Sequence, residues 1–178
     1  MKRSLIVITL AIMSLMSVYA QNKEQTLKGK WLIEVNTNFG APSTANTGIQ
    51  YSRFSDDKGS ILNLGAEAGY FIMDDLALKI GLGYGSVDAG EESNSLDTFS
   101  YKIGAKYYIN GNIPIQIDYS GANTELNENP SFFGIQGGYA FFLGNTVSIE
   151  PGLRYNFSLN DNLYADVFQF NIGFVIHL

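Results

Sequence analysis

The sequence contains one histidine, His177, and no cysteine. Acid–base and nucleophilic chemistry near neutral pH leans on a positioned base, most often an imidazole beside a hydroxyl, thiol or carboxylate. His177 is the penultimate residue, inside an alternating run from Phe168 to Leu178 that reads as a strand, where parity points it inward at a rim. A hydrolase would be expected to set its histidine among acidic or hydroxyl partners elsewhere in the chain. We therefore expect no enzymatic activity and no catalytic residue. No His or Cys cluster suggests a transition metal, and no P-loop or dinucleotide glycine motif occurs. No metal and no cofactor are expected.

A second set of residues could do electrostatic work. Glu34, Glu67, Asp118 and Glu150 fall at alternating positions that also carry Lys79, Lys102, Lys106 and Arg154. Glycines and amides are interleaved with them. Four acids against four bases can line an ion path or knit a closed polar interior, and balance of sign favours the second. A third set, Asp56, Asp57, Asp88, Glu91, Glu92, Asp97, Glu125 and Glu128, lies in connecting segments. It lacks the ligand spacing of an EF-hand, so solvation is the expected role ahead of weak divalent-cation or partner binding.

The elements that must position these residues are strands. After Gly29 no helical period emerges, and strict alternation recurs between Gly, Asn and Asp clusters. Eight strands are predicted over 30–40, 60–71, 76–88, 97–109, 113–120, 131–142, 146–157 and 164–178. Met73-Asp74-Asp75, Asn110-Gly111-Asn112 and Leu143-Gly144-Asn145 read as tight hairpin loops. The other connections, near 41–59, 89–96, 121–130 and 158–163, are longer and polar. Short and long connections alternate, as they do in up-and-down barrels that span an outer membrane.

The two faces differ. One carries no charge, and its aromatics gather at strand ends. Trp31, Tyr70, Tyr107, Phe141 and Phe174 fall toward the short turns. Phe39, Tyr84, Phe99, Tyr119, Phe133, Tyr155 and Phe168 fall toward the long loops. Two aromatic belts around an aliphatic band suit a lipid-facing wall. The other face holds the eight charges, and an eight-stranded barrel has room inside for side chains only. Three-residue loops would set Asp118 opposite Gly104, diagonally between Lys102 and Lys106. They would also set Glu150 opposite Gly138 and Arg154 opposite Gly134. Pro151 falls mid-strand, where its missing N–H predicts a local bulge.

The start of the chain follows other rules. Lys2 and Arg3, the apolar run Leu5 to Met16 and the small-residue ending at Ala20 have the layout of a cleaved signal peptide over 1–20. Residues 21–29 are expected to form an N-terminal periplasmic extension and 30–178 the barrel domain. Loss of two basic residues takes the formal charge from −6 to −8, which argues against a nucleic-acid partner.

These features together resemble the small outer-membrane β-barrel superfamily of the OmpX and OmpA transmembrane-domain type. The resemblance covers the mature chain and is architectural. It implies an all-β, eight-stranded antiparallel transmembrane barrel in the outer membrane of a Gram-negative bacterium, with periplasmic termini. Phe170, Ile172, Phe174, Ile176 and Leu178 look like the C-terminal signal read by the barrel-assembly machinery, with Leu in place of the usual final Phe. The peptidoglycan-binding domain that follows some such barrels is expected to be lacking.

The expected role is structural or surface-interacting, around a closed polar lumen. Its partners would be outer-membrane lipid, the assembly machinery, and an extracellular partner met through loops 41–59, 89–96 and 121–130. A small porin-like or OmpW-like transport protein is the first alternative, although a conduit for apolar ligands would want an apolar lumen. A soluble periplasmic or secreted β-barrel binding a small ligand is the second.

Overall fold

The computed structural model describes residues 23–39, 47–55, 59–88, 90, 95–124, 129–160 and 164–178. The expected signal peptide lies outside them, as do Asp56, Asp57, Glu91, Glu92, Glu125 and Glu128. A short 3-10 helix, Lys23–Thr26, precedes the strands β1 (Trp31–Phe39), β2 (Ile49–Arg53), β3 (Ser60–Met73), β4 (Leu76–Asp88) and β5 (Leu96–Ile109). These are followed by β6 (Ile113–Thr124), β7 (Ser131–Gly138), β8 (Phe141–Phe142), β9 (Val147–Ser158) and β10 (Val167–His177).

Neighbouring staves of the barrel are antiparallel, and the sheet closes because β1 pairs on both sides. Leu32 stands opposite His177 of β10, and Trp31 opposite Tyr70 of β3. The result is an eight-stranded up-and-down barrel in which β8 continues β7. Tight turns make the sequential pairing possible. The first is the two-residue turn Asp74-Asp75 and not Met73–Asp75, since Met73 belongs to β3 and pairs with Leu76 after a register shift past Phe71. Asp75 takes φ 64° and Asn110 φ 54°, with Gly111 at 79°. Asp and Asn tolerate that left-handed region better than other residues with a Cβ.

Three departures from the expected strands have local causes. The first is β2, inside a segment read as loop. β1 and β3 stay paired only to Glu34–Glu67 and then diverge. Thr47 and Gly48 enter the fork: Asn36 N–H donates to Thr47 O at 3.1 Å, and β2 then climbs β3 from Ile49–Leu64 to Arg53–Ser60. The wall is eight strands round below the fork; above it β2 is an added strand paired with β3 and joined to β1 by the single parallel bridge Asn36–Gly48.

The second concerns the hairpin near residue 144. Leu143 N–H donates to Val147 O at 2.7 Å, so the loop is Gly144-Asn145-Thr146 and not 143–145. Arg154 consequently faces Gln136, and Gly138 faces Gly152, two residues from the expected register. A slip of two leaves every side chain on its face, which is why the two faces were still separable in the sequence.

The third is Pro151, where no bulge forms. Gly138–Gly152 and Phe141–Ile149 keep one register across it. Tyr139 N–H donates to Pro151 O at 3.1 Å, and Pro151 has no N–H to return. Regular pairing lapses at Tyr139–Ala140, dividing β7 from β8. One missing hydrogen bond costs about 1 kcal/mol, whereas a bulge would turn the rest of the strand onto the wrong face.

Candidate functional site

Charged side chains within the strands point inward, and those facing out stand at strand ends: Arg53 and Asp88 close β2 and β4, and Asp97 is the second residue of β5. The eight charges singled out in the sequence are all buried, from Lys106 at 0 % to Lys102 at 8 % exposure. Their arrangement is a chain of alternating sign. Lys79 Nζ lies 2.6 Å from Glu34 Oε2 and 2.8 Å from Glu67 Oε2, the latter off the line of a hydrogen bond. Lys102 reaches Glu67 Oε1 at 2.8 Å. Lys106 bridges Glu34 at 2.7 Å and Glu150 at 2.5 Å. Charges removed from water each cost several kcal/mol unless paired and hydrogen-bonded, and here no charge lacks an opposite one.

Asp118 sits where the sequence placed it, opposite Gly104 and diagonally between Lys102 and Lys106. Its ion-pair partner differs, because Lys102 reaches over Gly81 to Glu67, and Lys106 reaches glutamates across the lumen. Asp118 instead accepts two bonds from the Arg154 guanidinium, at 2.6 and 2.7 Å. Arg154 comes from β9 and Asp118 from β6, with β7 between them. The strand that separates them offers Gly134, opposite Asp118 in the ladder. A Cβ there would collide with Arg154 Nη2 and come within 2.9 Å of Asp118 Oδ1. Gly134 is the gap through which the pair closes.

Neutral groups complete the network. Gln116 accepts from Lys79 at 2.7 Å and donates to Asp118 Oδ2 at 2.8 Å, joining the two ionic clusters. Asn36 donates to Glu34 at 3.0 Å. Thr47, fully buried at the fork, donates to Glu67 Oε1 at 2.5 Å and accepts from Lys102 at 3.1 Å. Sequence reading missed Thr47 because it took the whole of 41–59 as loop.

Below the charges the interior is apolar, which sequence reading also missed. Leu32, Phe71, Ala77, Tyr108, Ala140 and Val175 form a buried apolar cluster, with Phe142 packed against it. A signal was present: Tyr70-Phe71, Tyr107-Tyr108 and Phe141-Phe142 are adjacent apolar pairs, so one member of each must face inward. The predicted extension does not hang free either. Thr26 Oγ1 donates to Asp75 Oδ1 at 2.5 Å, Asp75 N–H donates to Thr26 O at 2.7 Å, and Gln25 Nε2 donates to Gly144 O at 3.2 Å. Buried Gln25 and Thr26 stopper the mouth at the end with the short turns.

His177 belongs to this stopper. Its Nδ1 donates to Gln25 O at 3.1 Å, and Nε2 lies 3.1 Å from Ser148 Oγ. Ser148 also donates to Glu150 at 2.8 Å. Ser, His and Glu in one cluster invite comparison with a catalytic triad, but the order is wrong. The carboxylate holds the serine and not the imidazole, and Glu150 is committed to Lys106 and to Tyr108 Oη, which donates at 2.9 Å. All three side chains are at 2 % exposure or less, so no substrate atom can reach Oγ. The arrangement binds the floor of the barrel together.

The outer wall is the reverse of the interior. Ile80 and Ile103 are 60 % exposed or more, and the aromatics at both ends of the strands turn outward. Trp31 packs on Tyr70 with ring centroids 4.9 Å apart, and Tyr107 and Phe174 are exposed at the same end. Phe141 there is half-buried against Tyr139. Tyr84, Phe99, Tyr119, Phe133, Tyr155 and Phe168 face out toward the other end; the side chain of Phe39 lies outside the described residues. On β10 and the residue after it, Phe170, Phe174, Ile176 and Leu178 are exposed and Ile172 half-buried, one outward apolar row. Among the described residues no three His, Cys, Asp or Glu side chains are grouped to hold a metal ion.

No family model matches the chain, and no curated protein matches it. Solved structures do. The outer membrane protein OprG from Pseudomonas aeruginosa is 13 % identical, with 86 % of this chain and 98 % of that one covered at a TM-score of 0.49. The Yersinia pestis outer membrane protein Ail is 11 % identical, covering 83 % and 99 % at 0.48. The N-terminal β-barrel domain of Pseudomonas aeruginosa OprF is 14 % identical, covering 85 % and 98 % at 0.46.

Proposed function

We propose that the chain is a non-enzymatic outer-membrane barrel whose ion-paired lumen is a structural core and whose long loops meet partners outside the cell. The observation that carries this reading is the inversion of the two faces. Lys106, Glu34 and Glu150 are sealed inside while Ile80, Leu82 and Ile103 are more than half exposed. Full burial of such an aliphatic side chain is worth about 1.5–3 kcal/mol, and a water-soluble chain would forfeit much of it at position after position. Hydrocarbon removes that penalty, and closure of the sheet leaves no strand edge in lipid.

A conducting pore is the weaker reading. The lumen has charged side chains bonded across it at mid-height, an apolar cluster below and the Gln25–Thr26 stopper at the mouth. The test has two parts. Purified protein folded into lipid should migrate differently on a gel before and after boiling, and its planar-bilayer recordings should lack steady conductance steps. Release into the soluble fraction without detergent would overturn the membrane reading, and regular steps would overturn the filled lumen.

A further inference from the structure

His177 joins two parts of the barrel that are held by unequal means. Its own strand is fixed: His177 N–H donates to Thr146 O at 2.7 Å, and Leu32 of β1 stands opposite it. Its ring is walled by Phe142, Tyr108 and Phe71, with centroids 5.3, 6.1 and 6.3 Å away. The remaining side is the stopper, a single 3-10 turn that belongs to no strand. Gln25 Nε2 bonds Gly144 O, Thr26 exchanges two bonds with Asp75, and His177 Nδ1 bonds Gln25 O. The closed position also has a cost. Among the described residues buried Gln25 Oε1 finds no hydrogen-bond partner, and it would regain water if the stopper left.

The imidazole has a seat for a second proton and no counter-ion for the charge. Gln25 O only accepts, so Nδ1 carries the ring's proton and Nε2 is its basic site. Nε2 faces Ser148 Oγ at 3.1 Å, and the Ser148 hydroxyl is turned to Glu150 Oε1. A proton on Nε2 would complete the row His177–Ser148–Glu150 without moving a heavy atom. Its charge is another matter. Glu150 is bonded to Lys106 and to the Tyr108 hydroxyl, Lys106 is shared with Glu34, and Glu34 with Lys79. Four acids already meet four bases. At the stopper, Asp75 accepts from Thr26, Asp74 from the Lys28 N–H, and Glu24 is exposed. Aromatic faces attract a cation but return only part of its lost hydration. The wall that yields is the stopper, with water beyond it to solvate the imidazolium.

We propose that Lys23–Thr26 form an acid-released plug, closed over neutral His177 and expelled from the short-turn mouth when His177 gains a proton. Imidazole is the side chain that ordinarily changes charge in the mildly acidic range, and this chain has one. Release opens the apolar floor to water and makes no pore, because the ion pairs at mid-height stay closed. The proposal goes beyond the structural reading above and leaves the filled lumen in place.

The chain has no cysteine, so a thiol can be placed behind the plug. Ala77→Cys puts one in the floor, where Ala77 is fully buried, and Met73→Cys puts one on the exposed rim. The full chain would be folded into lipid and labelled with a small uncharged maleimide from about pH 7.5 down to about pH 4.5. Dividing the floor rate by the rim rate removes the thiol's own pH dependence. Isotopic labelling of the one histidine, read by NMR, follows the protonation of His177 in the same samples. The expected ratio is low and flat while the imidazole is neutral. It then rises as the proton binds, by up to about tenfold per pH unit. His177→Gln keeps a donor for Gln25 O but takes no charge, and should hold the ratio low throughout. His177→Phe, which fills the same aromatic cage without titrating, should lose the pH response as well. A flat ratio in the parent while the imidazole titrates would overturn the proposal, and so would an imidazole that stays neutral across the range. An equal rise in the parent and both variants would assign release to Asp75 or Asp74 and would also overturn it. A rise that coincides with loss of the folded band on a gel would be unfolding of the whole barrel, not of a local plug, and would overturn it too. Steady conductance steps in acid would instead contradict the filled lumen, a separate failure.

Discussion

Asp118 and Arg154 meet as a fork, Nη1 on Oδ2 at 2.7 Å and Nη2 on Oδ1 at 2.6 Å, with the two residues 3 % and 5 % exposed. Breaking one side of such a pair is far worse than removing both. Asp118→Ala leaves a guanidinium sealed among glycines and amides and should cost about 3–5 kcal/mol. Adding Arg154→Met should recover most of it, since a flexible thioether fills the same space without a charge. Urea unfolding of the lipid-folded protein, followed by gel mobility, reads both. A single mutant within 1 kcal/mol of the parent, on the order of a surface ion pair, would mean that the fork is not closed in solution.

Gly134 and Gly137 lie three residues apart on β7 and make a matched pair of controls. A Cβ on Gly134 meets Arg154 Nη2, whereas a Cβ on Gly137 meets nothing within 4 Å. Gly134→Ala should therefore destabilise by about 1–3 kcal/mol through overpacking. Gly137→Ala should be neutral within about 0.5 kcal/mol, or slightly stabilising because it restricts the unfolded chain. The same urea titration separates the two, and equal effects would remove the argument that Gly134 exists to admit the arginine.

How far the sequence spoke for this site depends on which physics set each contact. Inward and outward faces follow from a period of two, so the burial of all eight charges was legible without knowing the register. Partners were legible only where a turn was. Asn110-Gly111-Asn112 gave Gly104 opposite Asp118, as observed. The Leu143-Gly144-Asn145 reading was off by one position because Leu143 itself closes the loop. Cross-lumen pairing is a different matter. Lys106 chooses Glu34 and Glu150 across the barrel over Asp118 on the adjacent strand, and reach across the lumen leaves no trace in strand alternation. The apolar floor was written in adjacent apolar pairs. The Gln25–Thr26 stopper had no periodic signal at all.

Thr47 is the residue through which the inserted strand enters the network. Thr47→Val keeps its shape but strips Glu67 Oε1 of a donor and Lys102 of an acceptor. A buried group left short of a partner costs about 1–3 kcal/mol. Thr47→Ser should lose much less, because the hydroxyl remains and only a methyl group is removed. The informative comparison is Thr47→Val against Thr47→Ser in urea. If valine is tolerated as well as serine, β2 is held by its pairing with β3 alone, and the fork at Glu34–Glu67 needs no keystone.

Arginine scanning of the outer wall tests which solvent it meets. Ile103 lies mid-strand, opposite Ile80 on one side and Tyr119 on the other, and is 60 % exposed. Phe168, 63 % exposed, is the second residue of β10 at the long-loop end. Against lipid the cost of a charge depends on depth: about 2–4 kcal/mol at the midplane and about 0–1 kcal/mol near the interface. Ile103→Arg should therefore be severely destabilising and Phe168→Arg nearly silent, although the two positions are equally open. Against water the expectation is different. Both substitutions would exchange an exposed apolar side chain for a solvated one, with effects within about 0.5 kcal/mol. Equal, small effects at the two positions would thus count against hydrocarbon around the barrel, and a steep difference between them is what an apolar band bounded by aromatic rims requires.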